Sequence, residues 1–148
     1  MSRLKDKRVL ITQANDYMGP ITAKVFSKEG AVVFCDNSDL TKNGACEEAI
    51  SKVGVIDILV ANLASPTFSG IETKNVRDED WQAPFEMMVH PLHRLVRAVL
   101  PQMIERKQGK IVVYGSASAL KGMKTLAAYS AARAAQLGYV QSVGVEVA

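Results

Sequence analysis

The chain has 148 residues, 48% hydrophobic and 22% charged, which is enough for one core and too apolar for a chain disordered in its main state. Its formal charge of +3 comes from 18 Lys and Arg interspersed with 15 Asp and Glu, so no basic stripe marks a nucleic-acid surface. The two cysteines, Cys35 and Cys46, lack the dense spacing of a secreted disulfide scaffold, no apolar run reaches the roughly 18 residues of a membrane span, and Met1 to Lys7 carries no signal-peptide core. A single soluble domain over 1–148, in a reducing cytoplasmic compartment, is the expectation.

In chain order, Arg8 to Thr12 (RVLIT) predicts a strand, Gln13 to Asp16 a turn, and Met18 to Glu29 a helix stopped by Gly30. Ala31 to Asp36 (AVVFCD) reads as a strand of the kind buried on both faces, and a short helix follows around Ala45 to Val53. Ile56 to Asn62 (IDILVAN) is the third strand, leading into a Ser/Pro/Gly loop from Ala64 to about Asn75. A long helical pattern runs from Glu79 to Arg106 with prolines at 84, 91 and 101, so a kink or break is expected near Pro91. Lys110 to Ser116 (KIVVYGS) is the fourth strand, and Ala127 to Ala148 is a helix that ends without a Gly, Asn or Pro stop, as a truncated chain would. Strands alternating with helices predict a parallel α/β sheet covered on both faces, with ligands at the carboxyl ends of the strands, after Thr12, Asp36, Asn62 and Ser116.

A dinucleotide turn needs glycines so that backbone can approach a pyrophosphate at the helix N-terminus. In the stretch from Thr12 to Pro20 glycine stands only at Gly19. Tyr17 brings a ring where a nucleotide needs open space, and Asp16 adds negative charge beside the helix end; alternatively, Tyr17 simply packs on the sheet. Asp36 stands where an acidic residue would hold an adenosine ribose, or is only a turn residue.

Tyr129 and Arg133 follow each other as Y-S-A-A-R, and positions i and i+4 share a helix face. A free tyrosine, with a pKa of about 10, is a poor base at neutral pH, whereas a permanent cation beside it favours the phenolate. The pair can therefore form a general base, with Ser116, thirteen residues before Tyr129, positioning the same substrate oxygen. The alternative is a stacked surface pair on an Ala-rich helix. Ser118 is a second serine near the strand end. His90 and His93, three apart on a helix, have no nearby Cys or carboxylate at ligand spacing, so no metal site is expected.

The V-A-N-L-A run at Val60 to Ala64, L-P-x-M at Leu100 to Met103, G-K-I-V at Gly109 to Val112, and Ser116 with Y-x-x-x-R resemble the short-chain dehydrogenase/reductase superfamily over almost the whole chain. The resemblance implies a Rossmann-like, doubly wound, three-layer α/β/α fold. About four strands are visible, and the Asn37 to Val55 segment is too short for the helix, strand and helix usual there. C-terminal strands and a substrate loop would be missing, which puts the activity of the chain alone in doubt. Ordinary members use Ser, Tyr and a Lys four residues after the Tyr, an Asn on the long helix and a turn T-G-x-x-x-G-x-G. Here Arg133 stands for the Lys, Met88 for the Asn, and Gln13 and Tyr17 for the first two glycines; Asn62 falls on a strand-end position that reads as structural.

Thr12, four residues, Tyr17, one residue and Gly19, joined to Ser116, Tyr129 and Arg133, resemble the signature of the halohydrin dehalogenases, a branch without the nucleotide. This likeness implies no cofactor. Tyr129 is the base for a vicinal halo-alcohol, Ser116 holds its oxygen, and an epoxide and a halide ion are the products; epoxides are opened by small anions in reverse. Tyr17 is implied as a wall of the halide site, while Thr12, Gly19, Asp36 and Asn62 become relics of a cofactor site. Partners implied are the small molecules and a second copy of the chain through the helix around 79–106, with no nucleic acid and no membrane. The alternatives are a divergent NAD(P)-dependent oxidoreductase, and a non-catalytic interaction subunit or inactive fragment.

Overall fold

The computed structural model describes residues 2–66 and 70–148, so the middle of the expected loop from Ala64 to Asn75 lies outside the described residues. The chain forms two compact units: Met1–Ala64 with Arg94–Tyr114, and Ser65–His93 with Gly115–Ala148.

The first unit carries a four-stranded parallel sheet in the order β2-β1-β3-β4, built from β1 (Arg8–Ile11), β2 (Val32–Cys35), β3 (Ile58–Ala61) and β4 (Lys110–Val113). This is a Rossmann-like α/β arrangement. Leu10 pairs with Phe34 on one side and Leu59 on the other, which seals β1 and β3 in the centre. Val9, Leu10 and Ile11 are buried, as is every residue of β3. The expectation that β2 is buried on both faces is corrected: Val32 and Cys35 are exposed and Val33 and Phe34 half-buried. Its AVVFC composition suits a central strand, but among the described residues β2 has a neighbour on one side only, and an edge strand cannot seal both flanks.

Helix α1 (Gly19–Lys28) lies between β1 and β2 in sequence, α2 (Ala45–Val53) between β2 and β3. Period-2 alternation sends Val9, Ile11, Ile58 and Val60 to one face, where Ala23 and Phe26 of α1 pack against them. The chain then reverses direction across the sheet, so right-handed crossovers place α2 and the following helix on the opposite face. The 2.9 Å Arg97–Glu47 pair ties those two helices together. The segment from Asn37 to Val55 contains one helix, α2, and no strand, in line with its shortness.

At the amino-terminal edge of the sheet, Asp57 Oδ2 accepts from the Arg8 N–H at 2.9 Å and Oδ1 from Arg106 Nη1 at 3.2 Å. The Arg8 N–H above all, with the Arg106 guanidinium, holds the Asp57 carboxyl below the ordinary carboxylate range against the opposing effect of burial.

The expected long helix is three pieces: α3 (Asp78–Pro84), a π-helical turn (Phe85–Val89) and α4 (His90–Glu105). The break falls on the turn before Pro91 rather than on a simple kink, because Pro91 has no N–H to donate and the preceding carbonyls must find other donors. The last expected helix is α5 (Ala127–Glu146).

Candidate functional site

In the first unit, the chain reverses between β1 and β3, and their carboxyl ends meet. Thr12 is buried; its N–H donates to the Val60 carbonyl at 3.1 Å and its hydroxyl to the Asn62 carbonyl at 3.3 Å. Asn62, also buried, donates both Nδ2 hydrogens into the turn, to the carbonyls of Gln13 (2.9 Å) and Asp16 (3.0 Å). Gln13 answers by accepting the Ala64 N–H on Oε1 at 2.8 Å. Thr12 and Asn62 thus clamp the turn onto β3.

The backbone of this turn keeps the shape that glycine favours, without the glycines. Gln13 has φ +44° and Tyr17 φ +51°, a left-handed conformation that costs a non-glycine residue on the order of 1–2 kcal/mol. Gly19 is required for a different reason: a Cβ there would sit 2.5 Å from the Ala14 carbonyl oxygen. Tyr17 is 54% exposed and meets Tyr114 edge to face, with ring centroids 6.2 Å apart. The Tyr114 hydroxyl in turn bonds Thr22 of α1. Asp36, just past β2, accepts from the Ser38 hydroxyl (2.8 Å) and N–H (3.3 Å), the geometry of a carboxylate-closed turn.

In the second unit, the expectation that Ser116 ends a strand is corrected. Strand β4 stops at Val113, and Ser116 opens a 3-10 turn, Ala117–Ala119. Ser116 Oγ accepts from the N–H (3.2 Å) and the hydroxyl (2.9 Å) of buried Ser118. With two donors already on its oxygen, Ser116 keeps its own proton to donate elsewhere.

Along α5, i+4 spacing brings Tyr129 and Arg133 together. Arg133 Nε donates to Tyr129 Oη at 3.0 Å, and the guanidinium carbon lies 5.1 Å from the phenol ring centroid. Arg133 is only 2% exposed, so this is not a surface pair. Its Nη1 donates to Gln136 Oε1 at 3.0 Å, and Gln136 Nε2 donates to the Met88 carbonyl of the π turn, also at 3.0 Å. Met88, expected at the position of a relay Asn, thus contributes its backbone, and its side chain is buried. Gln136 was not foreseen; a Gln three residues after Arg133, on the same helix face, was the available signal. His93 Nδ1 is 3.4 Å from Tyr139 Oη and His90 Nδ1 is 3.2 Å from Glu86, a carboxylate one helical turn away that corrects the expectation of none at such spacing; the two histidines have separate partners.

Compared with known proteins, residues 9–148 match the family model described as short chain dehydrogenase. The chain is 28% identical, over 99% of its length, to "Dehydrogenase/reductase SDR family member 6" of Rattus norvegicus, of which it covers 67%. It is 31% identical over 90% of its length to an uncharacterized oxidoreductase of Bacillus subtilis, of which it covers 60%. A solved structure named "Dehalogenation enzyme" is 30% identical and superposes with a TM-score of 0.86, covering 97% of this chain and 68% of that one. The chain therefore spans about two thirds of the length of these proteins.

Proposed function

The chain belongs to the short-chain dehydrogenase family, and within it we propose cofactor-independent dehalogenation of vicinal halo-alcohols to epoxides. The observation that carries this reading is the hydrogen bond from buried Arg133 Nε to Tyr129 Oη. A donor with a permanent charge is aimed at the oxygen that becomes negative when Tyr129 ionises. Unlike a Lys, Arg133 supplies that charge without being able to release a proton itself. Tyr129 takes the hydroxyl proton of the substrate, and the Ser116 hydroxyl holds the same oxygen. The resulting alkoxide attacks the neighbouring carbon from behind the halogen; a C–O bond forms, the C–halogen bond breaks, and the halogen departs with its electron pair. Epoxide, halide and proton balance the halo-alcohol, with no oxidation or reduction.

The first unit supports the same reading through the cofactor. A dinucleotide pyrophosphate needs bare backbone at the turn after β1. Gln13 and Tyr17 place side chains on it, Asp16 adds an exposed carboxylate before α1, and the Asp36 carboxylate is engaged by Ser38. These residues do not fit the nucleotide. The likeness to the structure named as a dehalogenation enzyme points the same way.

A second reading, an NAD(P)-dependent oxidoreductase acting on an alcohol or carbonyl, is favoured by the names of the curated relatives, which are dehydrogenases, reductases and oxidoreductases. The two separate cleanly. The first expects halide release from a chlorinated or brominated vicinal alcohol with no nucleotide added, lost in Tyr129→Phe, and no binding in a titration with NAD or NADP. Saturable nucleotide binding together with no halide release overturns it in favour of the second.

A further inference from the structure

We propose that Gln136 is a positioning residue whose neutral amide fixes the Arg133 guanidinium against Tyr129 without itself setting a negative charge beside it. The inference rests on the reading of Tyr129 as the base. Gln136 is 2% exposed on an Ala-rich helix, and a buried amide must satisfy both of its ends. It does so in one direction: Nε2 is spent on the Met88 carbonyl, which leaves Oε1 pointing at Arg133 Nη1. The Met88 carbonyl belongs to the π turn, where the helical ladder is interrupted. The amide therefore bridges an irregular carbonyl and a buried cation, and its orientation is determined by both.

A carboxylate in the same place would also hold the guanidinium, and by the usual rule for buried arginines it would hold it more strongly. It would, however, place a full negative charge 3.0 Å from Nη1, cancelling most of the field that Nε directs at the phenol oxygen. A neutral acceptor gives the geometry without the cancellation. The other carboxylates on elements packed against α5 within its unit are Asp78, Glu79 and Asp80 of α3 and Glu86 of the π turn. Of these, Asp80 is bound by Arg77 and Glu86 by His90.

The test compares the full chain with Gln136→Glu and Gln136→Leu, each with and without Tyr129→Phe. The quantity read is the ultraviolet phenolate absorbance attributable to Tyr129, taken as the difference between each chain and its Tyr129→Phe counterpart at one fixed alkaline pH, with folding checked by circular dichroism. Gln136→Glu is expected to lower the phenolate-to-phenol ratio by about tenfold, with lowered thermal stability because Glu has no N–H for the Met88 carbonyl; Gln136→Leu lowers the ratio less, by loosening the guanidinium. If Gln136→Glu does not fold, Gln136→Leu decides alone. A ratio equal to that of the unsubstituted chain in the folded variants overturns the inference, as does Tyr129 absorbance that is lost equally in both. Halide release, measured beside it, keeps the two proposals apart. Release without any change in the phenolate signal removes the role of Gln136 and leaves the dehalogenase reading, whereas a changed signal without release does the reverse.

Discussion

In the first unit, the Arg106 guanidinium donates to a carboxylate, Asp57, and to the Ile56 carbonyl, while Arg8 gives Asp57 its backbone N–H and sends its guanidinium to the carbonyls of Val53 and Val55. In the second, Arg133 gives Nε to a phenol oxygen and Nη1 to an amide oxygen. The same residue type serves different ends. Where the Arg106 guanidinium meets the Asp57 carboxylate, its charge is used up in joining α4 to the start of β3. Tyr129 and Gln136 meet Arg133 with neutral oxygens on one helix, so neither of these two acceptors cancels the charge beside the phenol oxygen. The lesson is to sort arginines by the charge of their acceptors as well as by burial.

The largest effect expected on this contrast is chemical. Tyr129→Phe removes the proton acceptor and should lower halide release by about 10²–10⁴-fold, the usual worth of a general base, and should also cost about 1–3 kcal/mol of stability, because buried Arg133 Nε loses its phenol acceptor. Arg133→Lys keeps a cation but loses the fork that reaches Tyr129 and Gln136 together. A loss of release comparable to that in Tyr129→Phe is expected; equal rates for Arg133→Lys and the unsubstituted chain would show that geometry is unimportant.

Breaking the structural arginine site should act on stability. Asp57→Asn keeps the shape but weakens two charge-assisted bonds, at a cost of about 1–3 kcal/mol in urea unfolding. The pH dependence has a definite sign. Because the folded carboxyl titrates below its ordinary value, its contribution is fully present above the unfolded pKa and is lost as pH falls through the folded one. The gap between Asp57→Asn and the unsubstituted chain should therefore close in the acid range below about pH 4, and a gap that stays constant there would refute the assignment.

Gly19→Ala tests the turn. The added methyl meets the Ala14 carbonyl, and overpacking against backbone costs about 1–3 kcal/mol. An unaffected melting temperature would mean that the turn yields freely. The smallest effect is a difference in reactivity. Cys35 is exposed, whereas Cys46 is buried and its thiol is pushed up to about 11, chiefly by desolvation with a contribution from Glu47. One thiol per native chain should react with a disulfide reagent, and the second should appear only on unfolding, which also reports whether Asp57→Asn opens the first unit.

Much of the sheet was legible because burial writes a simple pattern. RVLI and ILVA are runs of large apolar residues bounded by turn residues, and they form the two central strands. The AVVFC run reads the same way, yet β2 is an edge strand, since composition records how apolar a strand is and not how many neighbours it has. Prolines announced an interruption near 91, but not that it takes the form of a π turn. Nor did they announce that the Met88 carbonyl of this turn accepts from Gln136, 48 residues away in sequence. At the turn, the absence of glycine at 13 and 17 was plain, whereas the left-handed backbone that both residues retain was not.

By itself, the sequence determined the order of elements, the family resemblance and the i, i+4 meeting of Tyr129 with Arg133, because each depends on local spacing or on residue types in fixed order. Only the tertiary structure decided that Arg133 is buried, that its second acceptor is an amide held by a π-turn carbonyl, and that Ser116 receives two donors from Ser118. Burial and long-range hydrogen bonds are properties of packing, and the physical character of an arginine, surface ornament or buried charge, follows from what packs around it.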